Sequence, residues 1–367
     1  MRGIDICNKK FCSGCETCAN ICPQHAIEMH ADWKGFLYPY VDSTKCIDCG
    51  LCQRQCPSNK KETKPFKFGY GFVFQEKNDT YLHNATSGGA FGVMARYILQ
   101  HGGVVFGASM DKAYNINYKA VETIEELKTL HGSKYVQSYV NNVYKHVKDC
   151  LEQQRPVLFC GCPCQVAGLK AFLRKNYEML ITMDLICHGV PSQPYFRAYV
   201  NDLLKRNSNI TVFRFRGKGT SNNNMNNTYI GFLHNDYYMT YFLWGKGYRS
   251  SCYHCRFAGS ERQGDFTIGD FWNNKIMRLP IDEEKGVSLV LANTQKAKKL
   301  EPLFATNGYL FPLKSMTEAM GNDGGQLKHP SKYDVRCDLI YILYKIFGLS
   351  GPKLLFKLDN MRYILKK

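Results

Sequence analysis

From Phe68 onward, short apolar runs alternate with longer stretches whose apolar residues recur every three or four positions, the strand and helix periods. Tyr70 to Phe74 predicts a strand. Ala85-Thr86-Ser87-Gly88-Gly89-Ala90 follows, and then Phe91 to Leu99 predicts a helix capped by Thr86 or Ser87. Gly102 and Gly103 close that helix, and Val104 to Ser109 predicts the next strand. Helices are predicted over Ile124 to Leu130, Val140 to Gln153, Gln165 to Arg174 and Tyr195 to Lys205, and strands over Val157 to Phe159 and Leu180 to Ile186. This alternation is α/β order and implies a largely parallel or mixed sheet.

After Ile210 the pattern becomes β-rich. Val212 to Phe215, Tyr229 to Leu233, Phe266 to Ile268 and Val287 to Ala292 predict strands, and Lys296 to Asn307 a helix. The Asn-rich run Ser221 to Asn227 reads as a loop tip. The tail from about Lys332 is basic and amphipathic: it packs on its own domain or lies on a membrane or partner helix. Ahead of Phe68, Ile27 to Val41 reads as a hairpin with Gly35 in its turn, and the polar stretch Ser58 to Lys67, with Pro65, as a linker.

The first 60 residues carry one pattern twice. Cys12, Cys15, Cys18 and Cys22 precede Pro23; Cys46, Cys49, Cys52 and Cys56 precede Pro57. Each half reads C-x2-C-x2-C-x3-C-P, the run of bacterial two-cluster ferredoxins. Three thiolates at this spacing wrap one cube, and the fourth reaches the other. Cys12, Cys15, Cys18 and Cys56 are therefore assigned to one [4Fe–4S] cluster, and Cys46, Cys49, Cys52 and Cys22 to the second. Zinc takes two plus two ligands rather than this rhythm.

Seventeen cysteines, an odd number, with no signal segment read before Cys7 argue for a reducing cytoplasm, the expected location. No apolar run is long enough to span a bilayer. The length of 367 residues leaves room for further domains, and 44% hydrophobic residues support a packed core. A net charge of +17 suits an anionic cofactor or a dispersed solvated surface. No basic helix interleaved with aromatics is present, and no nucleic-acid partner is expected. Neither G-x-G-x-x-G nor a Walker loop occurs, which argues against a nicotinamide cofactor in a Rossmann domain.

Three further features carry chemistry. Ser87-Gly88-Gly89 stands between a strand and a helix, where small residues and free N–H groups suit a pyrophosphate or a flavin ring; an ordinary βα turn is the plain alternative. Cys160, Cys162, Cys164 and Cys187 follow strands, at the edge where ligands collect. Cys252-Tyr253-His254-Cys255 supplies a C-x2-C pair that Cys164 and Cys187 complete as a third cluster, or as zinc with the same ligands. His188 and His254 read as groups that hydrogen-bond a sulfur.

Ala85-Thr86-Ser87-Gly88-Gly89, Gly132-Ser133-Lys134-Tyr135-Val136, Gly161-Cys162-Pro163-Cys164-Gln165, Cys187-His188-Gly189-Val190-Pro191-Ser192, and Cys252-x2-Cys255 with Gly264-Asp265 to Phe271-Trp272 occur in that order. Together they resemble the coenzyme F420 hydrogenase/dehydrogenase beta-subunit family, from the cysteine repeat to about Thr294. The resemblance implies FAD beside iron–sulfur clusters, with Ser87, Gly88, Gly89, Ser133 and Lys134 at the flavin. It implies Cys164, Cys187, Cys252 and Cys255 at the flavin-proximal cluster. Cys162 stands where the family more often has Thr, and Cys160 is a further ligand candidate. Lys134 and Arg262 are the candidates to stabilise the reduced flavin.

The expected fold is α+β/α/β: a small bacterial-type ferredoxin domain (1–60) fused to a mixed α/β flavin-binding domain (61–330). The latter divides into an α/β part (68–206) and a β-rich part (207–313), and a basic amphipathic tail (331–367) follows. The expected function is electron transfer between the clusters and an organic two-electron substrate or deazaflavin through FAD, with a redox partner protein. The alternative is a non-catalytic electron-relay subunit of a larger redox complex. The tail is the candidate for peripheral membrane contact.

Overall fold

A computed structural model of the chain describes residues 5–60, 70–217, 228–231, 236–272, 277–320 and 325–364. The Asn-rich run, most of the expected linker and the end of the expected strand Tyr229 to Leu233 lie outside the described residues.

In the cysteine-rich stretch, helix α1 (Thr17–Ile21) and helix α2 (Leu51–Arg54) flank a hairpin of β1 (Ile27–Ala31) and β2 (Leu37–Val41). Ile27 pairs with Val41 and Ala31 with Leu37. The Asp32 carboxylate closes the turn by accepting from the Lys34 and Phe36 N–H groups at 3.0 and 2.9 Å, as Asp does in turns.

The remaining elements run β3 (Tyr70–Glu76), α3 (Asp79–Asn84), α4 (Ala90–Gln100), β4 (Val104–Met110), β5 (Ile116–Val121), α5 (Val143–Glu152), β6 (Val157–Gly161), α6 (Pro163–Leu173), β7 (Leu180–Leu185) and α7 (Gln193–Arg206). Then come β8 (Val212–Arg214), β9 (Thr228–Ile230), β10 (Phe266–Asp270), β11 (Ser288–Ala292) and β12 (Gly308–Leu313). One eight-stranded sheet has the order β12-β3-β11-β10-β7-β6-β4-β5. Its pairings make β3, β10, β7, β6 and β4 run in one direction and β12, β11 and β5 in the other. The carboxyl ends of the five co-directional strands thus share one edge.

Side chains alternate across the sheet. Phe72, Phe74, Val105, Leu158, Met183, Phe266 and Val290 face α4 and the helices Gln295–Lys299 and Glu301–Asn307. Val104, Phe106, Val157 and Phe159 face α5 and α6 on the other side.

Several sequence expectations are corrected. Neither Thr86 nor Ser87 caps α4; its N-cap is Gly89 at φ 92°. The Ser87 hydroxyl instead donates to the Val287 carbonyl at 2.8 Å. Ile124 to Leu130 forms only a 3-10 turn, Glu126–Thr129. The helix expected over Lys296 to Asn307 is two helices that meet at Leu300, because Pro302 has no N–H to continue the ladder. β5, β12 and the helix Tyr237–Leu243 escaped the reading of the pattern. The β-rich stretch contributes β10, β11 and β12 to the main sheet, while β8 and β9 pair separately.

The tail forms two helices, Arg336–Phe347 and Ser350–Ile364. The first buries Cys337, Ile340 and Tyr341 in an aromatic core with α7 and the helix Tyr237–Leu243. Its Asp338 pairs with Lys34 of the hairpin turn. Ile346, Phe347, Leu354 and Leu358 remain exposed.

Candidate functional site

The thiols of the N-terminal stretch gather in two groups. Cys15 and Cys18 both sense the charges of Cys12 and Cys56; their thiols are pushed up chiefly by burial and further by those neighbours. Cys7 contacts Cys12 and Cys56, and with the Arg249 guanidinium it holds Cys12 down to about 6. Cys22, Cys46, Cys49 and Cys52 line a separate small cavity closed by Ile27, Val41 and Leu51. Cys56 therefore lies with the first three cysteines of the other half, and Cys22 with those of the second.

A third group lies at the sheet edge. A cavity of about 280 Å³ is lined by Cys162, Cys164, Cys187, Cys252 and Cys255, with Phe11, Ser13 and Ser58 from the cysteine-rich stretch. Cys164 is pushed up by burial and then by Cys187, Cys255, Cys15 and Cys252. Cys252 responds in the same way to Cys187 and Cys255. The buried Ser13 hydroxyl has no hydrogen-bond partner among the described residues. Convergent soft donors around an enclosed space, with no acid to pair them, fit an iron–sulfur cluster. His188 and His254 also line this cavity.

The local sequence explains the placement. Cys162 is the N-cap of α6: its sulfur accepts from the Gln165 N–H, and the Gln165 side chain accepts from the Cys162 N–H at 3.1 Å. This capping box, with Pro163 at the first helical position, starts the helix. Cys164, two residues on, senses Cys187, Cys255 and Cys252, and the Cys162 sulfur itself contacts Cys187. Cys160 packs with the α4-side core, on the opposite face of the sheet, and does not line the cavity.

On that α4 side lie the residues expected at the flavin. The Lys134 ammonium donates to the carbonyls of Leu130 and His131 at 2.8 and 2.9 Å. Burial holds it down to about 7. Burial, then the Lys134 and Arg96 charges, hold His131 down to about 4. The His131 Nδ1 is buried without a partner among the described residues. Arg96 pairs with Glu76, beside Gly89. Ser133 bonds to Tyr135. A Cβ at Gly88 would fall 2.2 Å from the Phe74 carbonyl oxygen and 2.5 Å from the Ser288 nitrogen. The absence of a side chain there serves packing on β3 and β11. An orphaned imidazole nitrogen, the buried Lys134 amine and an α4 N-terminus without a side-chain cap fit an anionic cofactor.

Arg262 lines the cluster cavity, but protein acceptors occupy its donors. Nη2 donates to Asp184 Oδ1 at 3.2 Å and to the Leu185 carbonyl at 2.9 Å, Nη1 to the carbonyls of Phe257 and Gly259, and Nε to Thr267. Contact with Cys162 holds the Cys187 thiol down, with a smaller contribution from the Arg262 charge; burial pushes Cys255 up, and the Arg262 charge offsets part of that rise. Asp184 in turn accepts from the Gln263 and Gly264 N–H groups and the Thr267 hydroxyl. Asp265 accepts from Thr182 and Thr294. The Gly264-Asp265 motif therefore stitches β7, β10 and β11 together.

Residues 11–60 match the model of the 4Fe-4S dicluster domain. Residues 154–311 match that of the C-terminal part of the coenzyme F420 hydrogenase/dehydrogenase beta subunit. Residues 154–311 thus carry the C-terminal domain of this beta-subunit family, and residues 11–60 a dicluster ferredoxin domain. It is 32% identical over 194 residues to the coenzyme F420-dependent sulfite reductase of Methanocaldococcus jannaschii; the match covers 51% of this chain and 29% of that protein. An uncharacterized ferredoxin of the same organism is 34% identical over 65 residues, 17% of this chain and 83% of its own length. The F420-reducing [NiFe] hydrogenase complex of Methanosarcina barkeri contains a similar chain, at 15% identity and TM-score 0.48, over 81% of this chain and 94% of that one.

Within this F420 hydrogenase/dehydrogenase beta-subunit relative, two site residues went unrecognised in the sequence. Cys7 lies outside the repeated motif, and only the fold brings it to Cys12. Arg249, three residues before Cys252, was one basic residue among 48. Among the described residues, no helix is long and apolar enough to cross a membrane.

Proposed function

We propose that this iron–sulfur oxidoreductase relative is an FAD-dependent enzyme. In this reading Cys12, Cys15, Cys18 and Cys56 hold one [4Fe–4S] cluster, Cys46, Cys49, Cys52 and Cys22 a second, and Cys164, Cys187, Cys252 and Cys255 a third. The observation that carries it is the thiol-lined cavity of about 280 Å³, whose wall includes Phe11, Ser13 and Ser58. A third set of soft ligands thus directly adjoins the dicluster domain.

Each residue set has a task. α6 presents Cys164 from its first turn towards both Cys187 and Cys15, so the third site faces the first. Cys162 serves as the cap, a place that Thr fills equally well, and leaves Cys164 as ligand. Arg262 positions the Cys252–Cys255 loop through the carbonyls of Phe257 and Gly259. Lys134, His131 and the α4 N-terminus hold the anionic cofactor on the other face of β6. A bound flavin accepts electrons singly and releases them as a pair, which clusters cannot do.

The sulfite reductase relative's name carries F420, which makes a deazaflavin the leading candidate for the two-electron substrate. The test is iron and flavin content after anaerobic purification, followed by reduction of F420 by the pre-reduced protein. About twelve irons and one FAD per chain support the reading. About eight irons and no flavin overturn it, and leave a two-cluster relay.

A further inference from the structure

Arg249 is among the largest fully buried residues described, and it reaches from the main domain into the dicluster domain. Its Nε donates to the Cys12 carbonyl at 2.7 Å and its Nη2 to the Leu37 carbonyl at 2.8 Å. Nη2 also lies 3.6 Å from the Cys12 sulfur, and Nη1 lies 3.4 Å from the Gln137 amide oxygen. The guanidinium carbon sits 4.1 Å from the centre of the Tyr38 ring and 5.6 Å from that of Phe36.

Among the described residues, no carboxylate is within ion-pair distance of this cation. Glu16 senses its charge, but the two oxygens of that carboxylate already accept from the N–H groups of Val140 and Asn141 at 2.8 and 2.7 Å. A buried charge without a counter-charge costs several kcal/mol. The Cys12 thiolate, as part of a cluster with net negative charge, is the counter-charge in contact with it.

The second thiol group has the opposite surroundings. The Cys46 sulfur lies 3.8 Å from the Asp48 carboxylate, and Cys49 is exposed. The two clusters of one dicluster domain thus meet different fields. Arg249 is also tied to the third site, since the Cys252 N–H donates to its carbonyl at 2.9 Å.

We propose that Arg249 is a potential-setting residue: it raises the reduction potential of the cluster bound at Cys12 above that of the cluster bound at Cys46. The half-reaction concerned adds one electron and makes or breaks no bond. A cation and an N–H donor at the ligand sulfur favour the more negative, reduced form. The inference rests on the cluster reading given above and assigns the higher potential to the site nearest Cys164.

The test is a redox titration of the anaerobically purified full chain, monitored by electron paramagnetic resonance, with iron content measured on each sample. A Cys46→Ala variant assigns the signals. In Arg249→Met, at a fixed applied potential, the reduced-to-oxidised ratio of the Cys12 cluster should fall at least ~tenfold, a downward shift of about 59 mV for a one-electron couple. The Cys46 cluster should not move, and Arg249→Lys should restore most of the loss. Full iron with unchanged potentials, or equal shifts in both clusters, overturns the proposal. If Arg249→Met and Arg249→Gln lose the Cys12 cluster while Arg249→Lys keeps it, the charge pairing stands; loss in all three leaves a packing role and overturns it. Wild-type protein without about eight irons in this domain would instead defeat the cluster reading itself.

Discussion

Gly168 on α6 and Thr17 on α1 lie so close that a Cβ on the glycine would fall 2.7 Å from the Thr17 hydroxyl oxygen and 3.1 Å from the Cys15 Cβ. The missing side chain lets the helix that carries Cys164 rest on the loop that carries Cys15. Gly168→Ala should cost about 1–3 kcal/mol through overpacking, although alanine normally stabilises a helix interior. Tyr144→Phe, which removes a second hydroxyl 2.7 Å from the same point, should recover part of that loss. Urea unfolding of the three proteins decides it. A stabilised Gly168→Ala would show that the two helices do not meet.

Asp184 and Arg262 form a buried pair at the end of β7. Asp184→Asn leaves the guanidinium without its counter-charge and should cost about 3–5 kcal/mol. The melting temperature should fall before any change in the cluster spectra of the folded protein. An unchanged melting temperature would mean that the pair does not brace this edge.

Cys160, within β6, packs in the α4-side core, whereas Cys187, just after the adjacent β7, lines the thiol cavity. Cys187→Ser should lose about four irons and keep the dicluster signals. Cys160→Ser should keep the full iron complement. Iron loss from Cys160→Ser would put that residue among the ligands and undo the placement.

Lys134 has a folded-state pKa of about 7, below its ordinary value, because burial disfavours the charged form. Between that value and the unfolded one the unfolded chain binds more protons, so stability rises with pH across the interval. The neutral amine still has two N–H groups for the Leu130 and His131 carbonyls. Unfolding of wild type against Lys134→Met at pH 6 and pH 9 (roughly either side of the folded value) checks this. Wild type should gain relative to the variant at the higher pH; an unchanged difference would mean that Lys134 does not titrate in this range.

What the chain alone settled is local. The spacing of Cys12 to Cys22 and Cys46 to Cys56 declares the dicluster domain because three of the four thiolates around each cube come from one tight turn. The apolar runs of β3, β4, β6 and β7 declared their strands because each is buried on both faces. The hairpin turn at Gly35 and the helix that follows Pro163 were legible for the same reason: their partners are a few residues away.

Tertiary structure decided everything that depends on distant partners. β12 pairs with β3 across more than two hundred residues, and its exposed, mixed sequence carries no strong period. The sheet's two-residue alternation sent Cys160 away from the thiol cavity, although it stands only two positions from Cys162. Arg262 reads in sequence as a candidate to stabilise a reduced flavin, yet the fold occupies its donors with the chain's own carbonyls and side chains. Arg249 reads as one more basic residue, yet burial beside Cys12 turns it into the cation of the first thiol group. Charge and burial act through space, and only the folded chain determines which groups share a low-dielectric neighbourhood.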